Sequence, residues 1–102
     1  MPMQQEDWKK LKSIAEQWIV IDSKHSDAWY FLGLAELKMK NYQLAVENLK
    51  KAYDLNNRHL DSLVELFNIA KDQDNQDDLD WALNRMKDID SDFVKYNLNL
   101  AS

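Results

Sequence analysis

The chain repeats its own pattern at an interval of 34 residues. When the sequence is shifted by that interval, Asp7, Asn41 and Asn75 align, and each is followed by the start of a helix-like pattern. The ends of the three segments align as well, at 21–23, 55–57 and 89–91. A period of about 20–50 residues is typical of folds built from stacked supersecondary units. This recurrence therefore constrains the architecture more than any single motif does.

Apolar residues spaced three and four apart predict two helices in each unit, because that spacing puts them on one helix face. The predicted helices cover residues 7–21, 26–39, 42–55, 60–71 and 76–89, with a short last helix over 93–100. Short polar segments separate them. With one Gly and one Pro in 102 residues, the chain has too few breakers for a turn-rich β sandwich.

Small residues stand where the two helices of the central unit should come closest. Gly33 lies in the middle of a helical pattern, where glycine costs about 1 kcal/mol relative to alanine. Close approach of the partner helix, which carries the small Ala45, is the physical reason to accept that cost. The side chains predicted to form the core around this contact are Trp29, Leu32, Leu63, Leu66 and Phe67.

Six residues of the central unit carry a known pattern: Trp29, Leu32 and Gly33 on its first helix, and Ala45, Leu49 and Ala52 on its second. This pattern resembles the tetratricopeptide repeat (TPR). Glu36 departs from it, since the family has a later aromatic there, and Phe67 and Leu79 replace the two small residues in the next unit. The resemblance implies an all-α fold, a right-handed stack of antiparallel helix pairs in a TPR-like α-solenoid of about two and a half repeats plus a short C-terminal helix.

On this interpretation, residues 1–102 form a single TPR-like domain. Its parts are the second helix of a partial repeat at 7–21, repeats at 26–59 and 60–92, and a terminal helix at 93–100. No first helix is predicted before residue 7. We interpret Trp8 and Trp18 as covering the face that such a helix would bury; the alternative is a surface left for another chain or for sequence of a longer protein.

The first helices of stacked repeats line a concave groove. The groove positions predicted from the resemblance are Asp27, Tyr30, Phe31, Leu34, Leu37, Lys38, Asp61, Val64, Asn68 and Lys71. Several are apolar, and a contiguous apolar patch on a surface often marks a binding site. Two alternatives would close this groove: the 93–100 tail folds into it, or Phe31 packs against a neighbouring helix.

The predicted function is that of a non-catalytic protein-interaction module or scaffold, which binds a protein or peptide segment on its concave face. TPR proteins that grip C-terminal carboxylates of chaperones use Lys, Asn and Arg in the groove. The corresponding positions here are Tyr30, Leu34, Asp61, Val64 and Glu65. That carboxylate clamp is not carried over, so we expect a ligand with apolar or aromatic anchors and a basic flank. The alternative is self-association through exposed ends or the groove, giving a homo-oligomer.

Charge argues against other partners. The formal net charge is −5. Residues 1–51 hold eight Lys against seven acids, a balance of +1, whereas residues 52–102 hold five Lys or Arg against eleven acids, a balance of −6. A nucleic-acid partner would need a basic face, which is missing. No apolar run approaches the roughly 20 residues of a membrane span, and the first residues do not resemble a signal peptide, so a cytoplasmic location without membrane insertion is favoured.

The residues that usually carry chemistry are sparse. No Cys is present, which excludes thiolate zinc ligands and a cysteine nucleophile. The acidic run over 72–80 invites comparison with a calcium loop, but the sixth and twelfth positions hold Asp77 and Leu83 instead of Gly and Glu. His25 and His59 are interpreted as turn residues, too far apart for one metal. We find no triad or phosphate loop and predict no catalytic, cofactor-binding or metal-binding residues.

Overall fold

Six α-helices follow one another in the computed structural model, which describes residues 5–97. They are α1 (Gln5–Ile21), α2 (Ser26–Lys38), α3 (Tyr42–Leu55), α4 (Leu60–Asp72), α5 (Gln76–Ile89) and α6 (Ser91–Asn97). All five long helices lie where the periodicity predicts them, with ends that differ by two residues at most. In the described part of the chain, no helix is long and apolar enough to span a membrane.

The last helix begins two residues earlier than predicted. Its N-terminus is capped by Asp90, whose Oδ1 accepts a hydrogen bond from the Phe93 backbone N–H at 3.0 Å. A carboxylate at this position satisfies one of the free N–H groups of the first turn, so the helix starts at Ser91. Residues 98–100 of the predicted terminal helix lie outside the described residues.

The turns that join α2 to α3 and α4 to α5 have the same backbone geometry. Lys40 and Asp74, which are 34 residues apart, both adopt positive φ values, 67° and 53°. After each, the N–H of an Asn donates back to the carbonyl five residues earlier: Asn41 to Glu36 at 2.8 Å and Asn75 to Ala70 at 2.9 Å. This hydrogen bond and the left-handed residue define a Schellman helix end, which satisfies carbonyls that the helix leaves free.

The turns that precede α2 and α4 also share a hydrogen bond with each other. The N–H of Lys24 donates to Asp22 Oδ1 at 3.1 Å, and the N–H of Arg58 donates to Asn56 Oδ1 at 3.0 Å. Asp and Asn side chains stabilise turns by accepting such a hydrogen bond from two residues on. The 34-residue recurrence in sequence therefore has a counterpart in the backbone of both kinds of turn.

Each helix packs against the next one along the chain, and α2 also contacts α4. The main buried cluster is formed by Ala45, Leu49, Leu63, Leu66, Phe67, Ile69, Ala82, Met86 and Val94. Four of the five predicted core side chains are buried, but the prediction for Trp29 was wrong. Its ring is half-buried; its Nε1–H donates to the Ser23 carbonyl at 2.8 Å, and the Lys51 ammonium lies 5.7 Å from the ring centre.

Gly33 marks the close contact between α2 and α3, as predicted. A Cβ atom at this position would lie 2.8 Å from Leu49 Cγ and 3.2 Å from the Ala45 carbonyl oxygen. Leu49 and Ala45 are fully buried, so neither can move away without disturbing the core. The next unit has larger residues at the equivalent positions: Phe67, in the place of Gly33, is buried in the core cluster, and Leu79, in the place of Ala45, packs against that cluster.

We expect Gly33→Ala to destabilise the fold even though alanine is the better helix former. The gain of about 1 kcal/mol in helix propensity opposes an overpacking cost of about 1–3 kcal/mol. Gly33→Leu should cost more than Gly33→Ala, because its larger side chain enters the same contact. Urea unfolding followed by circular dichroism measures both values. An alanine variant that is more stable than the parent chain by the full propensity gain of about 1 kcal/mol would contradict the close-contact interpretation.

Candidate functional site

Tyr30 lies at the centre of the predicted groove, between α2 and α4. Its ring centre is 5.3 Å from that of Phe31 and 5.2 Å from that of His59. The side chain is half-buried and packs against the core. Burial, followed by the negative charges of Glu65, Asp61 and Asp27, raises the pKa of the Tyr30 hydroxyl. The charges of three carboxylates on α2 and α4 therefore act on this aromatic side chain.

Phe31 lies between Tyr30 and α1. Its ring is nearly parallel to that of Trp18, with 6.3 Å between the ring centres. The two rings line an open cavity of about 220 Å³ together with Leu11, Ile14 and Ala15 of α1. The alternative in which Phe31 packs against a neighbouring helix is therefore confirmed for this residue.

His59 joins α2 to the start of α4 through hydrogen bonds on both ring nitrogens. Its Nδ1 accepts from the Ser62 backbone N–H at 3.2 Å and lies 2.8 Å from Ser62 Oγ. Because Nδ1 accepts, the ring proton is assigned to Nε2, which donates to Asp27 Oδ1 at 2.7 Å. His59 and Ser62 are buried. His59 is thus both the N-cap of α4 and a link to α2.

The same three side chains have the connectivity of a Ser-His-Asp relay, which we did not find in the sequence. A nucleophilic serine must present its hydroxyl to a substrate. Ser62 has no exposed surface, and its hydroxyl lies against a histidine that already caps the helix. In this arrangement the three groups satisfy one another's hydrogen bonds and connect two helices.

Glu36 forms a second polar link, between α2 and α1. Its carboxylate is almost fully buried, and the Lys12 ammonium lies 3.0 Å from Oε1. Hydrogen bonding to Glu36 and attraction by its charge raise the pKa of Lys12. Oε2 has no hydrogen-bond partner among the described residues. A buried carboxylate needs such a counter-charge. The Lys12 ammonium on the preceding helix supplies it for Glu36.

The remaining predicted groove residues lie on α2 and α4, which contact each other. Leu37 and Val64 are half-buried and pack against the core. Leu34 is partly exposed and Asp61 and Asn68 are exposed. Lys38 lies 5.8 Å from the Trp8 ring, and Lys71 lines an open cavity at the turn before α5. Leu37 and Val64 therefore contribute to the core as well as to the surface between α2 and α4.

The acidic stretch over 72–80 caps a helix. Asn75 Oδ1 accepts from the Asp78 backbone N–H at 3.1 Å, and its Nδ2 donates to Asp78 Oδ2 at 2.8 Å. Carboxylates in the first turn also favour the positive end of the helix dipole. Within residues 5–97, no group of three or more His, Asp or Glu side chains is placed to hold a metal ion.

No protein-family model matches the chain, and no curated protein matches it at a significant level. The functional interpretation therefore depends on the residues themselves. The two polar links were not predicted. The sequence contained a usable signal for the link at Glu36, because a charged residue on an apolar helix face needs a partner. His59 gave none, since nothing in its spacing distinguishes it from the exposed His25.

We expect His59→Ala to lower the free energy of unfolding by about 1–3 kcal/mol, because it leaves buried polar groups of Ser62 without a partner. His59→Asn should recover part of the loss, since Asn is a good N-cap but does not replace the ring. His25→Ala is the matched control: His25 occupies the N-cap position of α2 without a side-chain cap. Equal losses at the two histidines in urea unfolding would refute the structural role of His59.

Stability should fall in alkaline solution. The folded state raises the pKa of Lys12 above 10.5 and that of Tyr30 above 10.0. Both groups hold their protons more tightly when the chain is folded. Their contribution to the free energy of unfolding is complete below those values and is lost as the pH rises through the higher pKa values of the folded state. Urea unfolding at a series of pH values from about 9 to 11.5 measures the slope. Tyr30→Phe should make it shallower; an unchanged slope would contradict the assignment to Tyr30.

Proposed function

We propose that the chain is a non-catalytic protein-interaction module, built as a TPR-like stack of helix pairs, which binds a partner segment on the face formed by α2 and α4. Two observations support the stack. The turns recur at 34 residues with the same hydrogen bonds. The one pair of described helices that contact each other without being neighbours in the chain is α2 with α4, the two first helices of the proposed repeats.

The observation that carries the binding proposal is the combination of apolar and acidic groups around Tyr30. Leu34 is partly exposed beside it on α2, and Asp61 and Glu65 act on it from α4. A half-buried aromatic ring provides contact area at a small entropic cost, and the carboxylates attract cations and repel acidic segments. The expected ligand is a peptide with an apolar or aromatic anchor next to Lys or Arg.

Selection of random displayed peptides against the chain tests this proposal. Selected peptides should be enriched in Lys or Arg beside apolar residues. Asp61→Lys should weaken the best peptide about tenfold, equivalent to about 1.4 kcal/mol, because it replaces an attractive charge with a repulsive one. Asp54→Lys makes the same change in net charge at an exposed position on α3 and should leave the affinity unchanged.

Amide shifts in NMR spectra locate the peptide. The largest shifts should fall on α2 and α4. The proposal fails if selected peptides show no basic enrichment, if both charge reversals weaken binding equally, or if the shifts fall on other helices.

A further inference from the structure

His59 is a buried titratable side chain in contact with two residues of the predicted groove. Its Nε2–H donates to Asp27 Oδ1 at 2.7 Å, and its ring centre lies 5.2 Å from that of Tyr30. The imidazole is only 7% exposed. Histidine is the side chain that ordinarily changes charge between about pH 5 and pH 8. A proton taken up by this ring would therefore change the charge inside the fold, next to the surface that is proposed to bind a basic peptide.

The hydrogen bonds of the ring determine where that proton binds. Nε2 already carries the proton that it donates to Asp27, so the free position is Nδ1. Nδ1 accepts from the Ser62 backbone N–H at 3.2 Å and lies 2.8 Å from Ser62 Oγ. The hydroxyl can rotate and accept from a protonated Nδ1, because a hydroxyl both donates and accepts. The backbone N–H can only donate, so protonation of Nδ1 breaks its hydrogen bond.

This hydrogen bond is the N-terminal cap of α4. The Ser62 N–H lies in the first turn, where no carbonyl of the helix can accept it. Ser62 is fully buried, so water does not readily replace the ring nitrogen, and an unpaired N–H in such a position is costly. The first turn of α4 would have to shift or open to satisfy it. That turn carries Asp61, one of the two carboxylates that are proposed to attract the ligand.

The groups around the imidazole make a charged ring tolerable at this buried position. Its polar and aromatic contacts in the described chain come from α2 and α4, and Asp27 would pair with the imidazolium. Tyr30, the other titratable group in contact with the ring, has a raised pKa and stays neutral in this pH range. Asp61 and Glu65 of α4 add negative charge around Tyr30. Arg58, the residue before the histidine, is exposed.

We propose that His59 makes the groove sensitive to mild acid: protonation at Nδ1 releases the cap of α4 and offsets the charge of Asp27, so that the groove between α2 and α4 loses affinity for a basic peptide. The switch rests on the proposed function for its ligand and on the hydrogen bonds of His59 for its mechanism. Protonation changes the local charge by one unit. The affinity should therefore fall about threefold, against about tenfold for the two-unit change in Asp61→Lys.

Amide hydrogen exchange of the parent chain tests the release of the cap without any ligand. The exchange rate of the Ser62 N–H, divided by that of an unstructured peptide at the same pH, should rise about tenfold when the pH falls from about 7.5 to about 5.5. Asp78 is the matched control: it occupies the same position in α5, and its N–H donates to Asn75 Oδ1, which does not titrate. An unchanged ratio at Ser62, or an equal rise at Asp78, would overturn the proposal.

Peptide affinity at the same two pH values tests the effect on the groove. The probe is the tightest selected peptide that has blocked termini and neither histidine nor acidic residues, so that its own charge stays constant. The parent chain should bind it about threefold more weakly at the lower pH. His59→Asn and His59→Gln have no titratable ring and should bind equally at both pH values. His25→Asn removes the exposed histidine and should keep the loss seen in the parent chain.

The two experiments separate the switch from the proposed function. A loss of affinity in acid that persists in both His59 variants would overturn the switch even where the peptide binds on α2 and α4. If no peptide is selected while the Ser62 ratio still responds to pH, the proposed function fails, and the groove fails with it as the target of the switch, but the released cap is confirmed. Circular dichroism checks that the variants fold, and the exchange experiment does not depend on them.

Discussion

Helix α2 can approach α3 closely only because residue 33 has no side chain. The space that a Cβ would take is occupied by Leu49, and the backbone carbonyl of Ala45 lies just behind it. Interiors are packed densely enough that one added carbon is not absorbed without a shift. This contact sets the distance between the two helices of the central pair, and the other contacts of α2 are arranged around it.

The other sides of α2 carry polar groups that are matched from neighbouring helices. Glu36 meets Lys12 from α1, and Asp27 meets His59 at the start of α4. Burial without those partners would be costly, because a charged or polar group loses its hydration. Apolar packing among similar helices distinguishes poorly between possible neighbours, so these links can specify which helix lies next to which. Asp27 is itself exposed, but it already accepts a hydrogen bond from the buried His59, so Asp61 and Glu65 are the carboxylates left to favour a basic ligand.

The predicted groove and the exposed apolar side of α1 lie on different helices. The groove uses Tyr30 and Leu34 of α2 with acidic groups of α4, whereas Ile14 and Ile21 are exposed on α1. Phe31 separates the two, because it is next to Tyr30 in sequence but stacks on Trp18.

The sequence alone determined the position of the helices, because 3.6-residue periodicity and polar breaks are local signals that survive in any context. It also predicted the close contact at Gly33, since a glycine inside a helical pattern has few other uses. Only the tertiary structure decided that Trp29 is half-buried, that Phe31 turns to α1 and that His59 is buried between two helices. Each of these depends on partners 6 to 32 residues away in the chain, such as Ser23 for Trp29 and Asp27 for His59. A side chain's choice among several neighbours is a property of the assembled helices, so residue spacing does not contain it.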